Sequence, residues 1–162
     1  MNQDLIGSEH RDTTIKWDGG NDTLKFFIRK QKELGGQWYY NNKKITYKYN
    51  TNGFRAQEFN NIDWANSVLV LGCSNVLGIA NRVEDSVPSV LQDILGIPCI
   101  NLGISGSAVD HACWNSLILH ENYPHPKAIV QVWSSTRRYT DFLDVGMVKA
   151  DYPIFGVPMC PS

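Results

Sequence analysis

The chain has 162 residues, 43% of them hydrophobic and 19% charged, with a formal net charge of −1. This is about one domain of chain with enough apolar side chains for a core, which excludes a disordered chain, a collagen-like repeat and a coiled coil. The near-zero charge argues against a nucleic-acid binder held by bulk electrostatics, and no apolar run reaches the ~18 residues of a membrane span.

The polar start, residues 1–14, lacks the apolar core of a secretory signal. Residues 22–34 read as a helix, with Asn21 or Asp22 as cap and Gly35-Gly36 as the stop. Residues 37–40 and 44–49, joined through Asn41-Asn42, read as a β-hairpin. Ten of the eighteen aromatic residues fall within residues 1–60. That density suits an accessory layer packed on a main sheet, or a contact surface for a protein partner. Residues 1–60 are therefore expected to form an N-terminal helix-plus-hairpin extension. They carry ten Lys/Arg against seven Asp/Glu, and residues 61–162 carry five against nine. Balances of +3 and −4 suit solvated faces better than a binding stripe.

From Asn66 onward the pattern becomes regular. Residues 67–71 form a short β-branched and aliphatic run, a buried strand. Residues 85–95 have helical periodicity in Val87, Val90, Leu91, Ile94 and Leu95, and Gly96 ends the helix. Residues 97–101 are a second strand. Ser107 is positioned to cap a helix running to about residue 121, and residues 127–133 are a third strand. Strand–helix–strand–helix–strand with short connections implies an α/β domain over residues 61–162, with a parallel sheet covered by helices. Cys73, Cys99, Cys113 and Cys160 have neither CxxC nor metal-ligand spacing. Free thiols in a reducing, cytoplasmic compartment are expected, with no metal and no cofactor.

The first strand runs into Gly72-Cys73-Ser74, with Gly78 following. In a parallel sheet, ligands sit at the carboxyl ends of strands. A glycine-flanked serine there either caps the next helix or is an exposed nucleophile ringed by backbone N–H groups. A second glycine turn, residues 101–107, follows the second strand. A third turn, Ser134-Ser135-Thr136-Arg137, offers hydroxyls and a cation at the same edge.

These blocks resemble the SGNH/GDSL hydrolase family. Gly72-Cys73-Ser74-Asn75 with Gly78 is similar to its first block, with Cys73 in place of the usual aspartate, and Asn101-Leu102-Gly103-Ile104-Ser105-Gly106 to its second. Residues 50–59, NTNGFRAQEF, resemble a segment preceding the nucleophile strand in some bacterial and phage-encoded members. The resemblance spans roughly residues 50–137. It implies a three-layer, flavodoxin-like parallel sheet and an ester hydrolase or O-acyltransferase, acting on an acylated carbohydrate or another ester. Ser74 is then the nucleophile, and the Ser74 and Gly106 amides are oxyanion donors. Thr136 stands where the family's third block has asparagine. No Asp-x-x-His, the family's base block, occurs in the chain. Three parallel strands are also fewer than the family's sheet contains, so the domain is expected to be incomplete, with the catalytic histidine outside this chain. Within the chain, His111 is the candidate base by position. The competing expectation is a non-catalytic interaction or virion protein on the same scaffold.

Overall fold

The computed structural model describes residues 5–16, 24–38 and 45–134. Within them the elements run β1 (Thr14–Lys16), α1 (Leu24–Leu34), β2 (Thr46–Lys48), β3 (Val68–Gly72), α2 (Ser74–Leu77), α3 (Val87–Leu95), β4 (Cys99–Gly103), α4 (Val109–Asn122) and β5 (Ala128–Val132). The chain is mixed α/β. Its main sheet is parallel throughout, in the order β4-β3-β5. The first of these strands is thus central, flanked by the second and third. Register runs from Val68 opposite Cys99 and Ala128 to Gly72 opposite Gly103 and Val132.

Alternation along β3 distributes its side chains between two cores. Leu69 and Leu71 join Ile100, Leu102 and, from α4, Ala112, Ile118 and Leu119. Val68 and Val70 face the other way, toward Val76 of α2 and Leu91 of α3. Helices therefore cover both faces, and every residue of β3 is buried, as a continuous apolar run in a parallel sheet requires.

The N-terminal segments close over this sheet. Leu5, Phe54 and Phe59 belong to the Leu69/Leu71 core. Phe59 meets Trp64 edge-on at 5.2 Å between ring centroids, and Trp64 packs on Tyr123 at 4.5 Å. The aromatic density of residues 45–60 is thus largely core. Asn50 organises the loop before β3. Its Oδ1 accepts from the Asn52 and Phe54 amides and its Nδ2 donates to the Gln57 carbonyl.

Several boundaries differ from expectation. Among the described residues β2 pairs antiparallel with β1, Ile15 opposite Tyr47, and residues 39–44 of the expected hairpin lie outside the described residues. Gln37 lies in a 3-10 turn, Gly35–Gln37, that follows α1. The short run at residues 14–16 was too brief to register as a strand, yet it pairs because Ile15 shares a cluster with Ile45, Tyr47, Tyr49, Leu77 and Ile79. The expected cap at Asn21 or Asp22 and the hairpin turn at Asn41-Asn42 lie outside the described residues. Helix α3 begins at Val87 because Ser86 adopts the extended N-cap conformation and Pro88 suits the first turn. Residues Val83–Asp85 form a separate 3-10 turn in which Arg82 pairs with Asp85 at 2.8 Å. β4 starts at Cys99, after Pro98, whose carbonyl accepts from the Val68 amide. Ser107 does not cap α4. Its hydroxyl is committed to the Gly72 carbonyl, and Ala108 occupies the cap position.

Cys73, Cys99 and Cys113 are free thiols, and Cys160 lies outside the described residues. Among the described residues no helix is long and apolar enough to cross a membrane.

Candidate active site

Ser74 opens α2 immediately beyond the central strand, at the carboxyl edge of the sheet. The turn is compact. The Cys73 carbonyl accepts from the Val76 and Leu77 amides, and the Ser74 carbonyl accepts from those of Gly78 and Ile79. Cys73 is buried at 4% exposure, whereas Ser74 is half-buried and Asn75 exposed. The Ser74 hydroxyl lies 4.0 Å from Cys73 Sγ, the outer limit for a bond to sulfur.

The glycine turn after β4 is stitched to this one. The Gly72 carbonyl accepts from the Ile104 amide at 3.0 Å and from the Ser107 hydroxyl at 3.2 Å. The strands feeding both turns are in register, and Gly103 lies so close to α2 that a Cβ there would run into the Leu77 amide. Asn101 supports the approach, its Oδ1 accepting from the Gly103 amide at 3.0 Å. Gly106 has φ +78°, a left-handed conformation suited to glycine, and faces open space. Among the described residues, the Ser74 and Gly106 amides donate to no backbone carbonyl. Two turns joined through Gly72 therefore carry the half-buried Ser74 and, among the described residues, the Ser74 and Gly106 N–H groups with no carbonyl partner, donors of the kind a developing oxyanion needs.

The third turn is only partly described. Ser134 ends the described chain, with its hydroxyl buried and without a partner among the described residues. Thr136 lies outside the described residues.

His111, the candidate base within the chain, is engaged with the N-terminal segment. It is 2% exposed in the first turn of α4, with Nε2 3.0 Å from the Ile6 carbonyl. A carbonyl only accepts, so Nε2 carries the proton in this bond. Asn115, one turn on, accepts from the Ile6 amide and donates to the Ile6 carbonyl, both at 2.9 Å. His111 and Asn115 together anchor the N-terminal segment to α4. Burial pushes the His111 pKa below its ordinary value, against the opposing pull of the Ile6 bond and Asp110. The other histidines have different neighbours: His10 packs beside Tyr49, and His120 and His125 pack on each other.

Asn115's role is not legible in the sequence, because a helix-face asparagine carries no signal of a distant backbone partner. Among the described residues, no group of three or more His, Cys, Asp or Glu gathers as a metal site. Compared with family models, curated proteins and solved structures, the chain has no match in any of the three.

Proposed function

We propose that the chain is the nucleophile-bearing part of an SGNH-type serine ester hydrolase or O-acyltransferase. The observation that carries this reading is the pair of strand-end turns: half-buried Ser74 opens the helix after the central strand, and the second glycine turn is bonded to Gly72. In this mechanism Ser74 Oγ attacks the acyl carbonyl of an ester, for example an acylated carbohydrate. The Ser74 and Gly106 amides, with the Thr136 hydroxyl, hold the tetrahedral oxyanion. A histidine from outside this chain takes the serine proton and returns it to the leaving alcohol. His111 is a poor base in this scheme because Nε2 is engaged by Ile6 and burial disfavours its protonated form. Loss of a triad's base costs roughly 10⁶-fold in kcat, so the chain alone is a feeble esterase.

The test is p-nitrophenyl acetate turnover by the purified chain and its Ser74→Ala variant. Slow turnover abolished by the substitution upholds the reading, and equal rates for the two proteins overturn it. The alternative, a non-catalytic interaction or virion protein, draws support from Val87, Val90 and Ile94, which are exposed along α3. Their spacing lines up one apolar helix face, of the kind used in partner contacts.

A further inference from the structure

Arg55 is 4% exposed. Burying a guanidinium is costly unless its donors are satisfied. Its Nη1 donates to the carbonyls of Leu77 and Gly78, each at 3.1 Å, and its Nη2 to those of Thr46 at 3.0 Å and Asn81 at 3.1 Å, while the buried Nε has no partner among the described residues. The guanidinium carbon sits 4.4 Å above the centre of the Tyr47 ring. Three of the four carbonyls belong to the end of α2 and the loop after it. In a helix of one turn the final carbonyls have no intrahelical donor, and Arg55 supplies one.

Tyr47 grips the same loop from beside Arg55, its hydroxyl accepting from the Ala80 amide at 2.8 Å. Ala80 has φ +62°, left-handed for a residue with a Cβ. The loop is thus held in an unfavourable conformation by two side chains from the N-terminal layer. The link to Ser74 is short. The Ser74 carbonyl accepts from the amides of Gly78 and Ile79, and the Gly78 carbonyl accepts from Arg55.

We propose that Arg55 is a positioning residue that, with Tyr47, fixes the turn presenting Ser74 by holding the carbonyl end of α2. Its catalytic meaning rests on the acyl-transfer reading of Ser74; its structural meaning does not. Lysine is no substitute, because an ammonium lacks the planar fork that spans four carbonyls on two segments.

The experiment compares the full chain with Arg55→Met, Arg55→Lys and Tyr47→Phe. Two readouts are taken: amide hydrogen exchange of residues 74–81 against residues 109–122, and the rate at which a fluorophosphonate labels Ser74. The expected result for Arg55→Met and Arg55→Lys is at least about tenfold faster exchange in residues 74–81, with α4 changed little. Labelling slows by about 10- to 100-fold, the cost of a displacement near 1 Å. Tyr47→Phe gives a smaller change in the same residues. Should Arg55→Met fail to fold, Arg55→Lys and Tyr47→Phe decide. Unchanged exchange in residues 74–81, or acceleration equal to that of α4, overturns the proposal. If the parent chain takes no label, the nucleophile reading of Ser74 fails on that arm, and the exchange arm still upholds or overturns the clamp.

Discussion

The two sides of the central strand are finished differently. On the β4 side the polar groups are closely matched: Gly72 to Ile104 and Ser107, Asn101 to Gly103, and Arg55 to the end of α2. On the β5 side the strand is only partly covered among the described residues, where Ile129 is 43% and Trp133 68% exposed. The first side spends its hydrogen bonds on holding two turns at fixed separation. The second, the outer strand among the described residues, exposes apolar side chains of the kind proteins ordinarily cover. The lesson is that, among the described residues, long-range polar bonding is concentrated around the Ser74 turn.

The largest expected effect probes this contrast through packing. Leu69→Ala opens a cavity beneath a fully buried strand and is expected to cost about 2–5 kcal/mol. Ile129→Ala, on the exposed strand, is expected to cost under about 1 kcal/mol. Urea unfolding monitored by tryptophan fluorescence gives both numbers, and equal losses break the comparison. Next comes Asn115→Ala, which leaves the Ile6 amide without its acceptor and removes a donor from the Ile6 carbonyl. The expected loss is about 1–3 kcal/mol in the same assay.

A pH effect follows from His111. Its folded-state pKa is depressed by burial, so the unfolded chain binds this proton more readily. The stability tied to neutral His111 is complete above the ordinary value of 6.5 and is lost as pH falls below it toward the folded-state pKa. Unfolding midpoints across that window are expected to fall with pH in the parent and to flatten in His111→Gln. The smallest effect is at Ile94, 74% exposed on the outer side of α3. Ile94→Lys is expected to change stability by no more than about 0.5 kcal/mol, and a larger loss in the same unfolding assay marks a hidden contact there.

The parallel sheet was legible because β3, β4 and β5 are short apolar runs separated by helices, the first of them, α3, apolar on one face and stopped by Gly96, and each strand lies within two residues of its expected place. The Ser74 turn was legible for the same reason: strand, glycine and serine are contiguous. Long-range polar partnerships were not. Residue spacing cannot reveal that Arg55 reaches Leu77 and Gly78, or that Ser107 bonds to Gly72 rather than capping α4. The β1–β2 pairing was missed because three residues carry too little periodicity, and tertiary packing on Leu77 decides it.

The most direct measurement is covalent. The purified chain is incubated with a fluorophosphonate, with and without added imidazole as an external base, and the adduct is mapped by peptide mass spectrometry. The expected result is a slow single adduct on Ser74, accelerated by imidazole and absent in Ser74→Ala. An adduct on another residue that persists in Ser74→Ala, or no adduct even with imidazole, contradicts the assignment of Ser74 as a nucleophile.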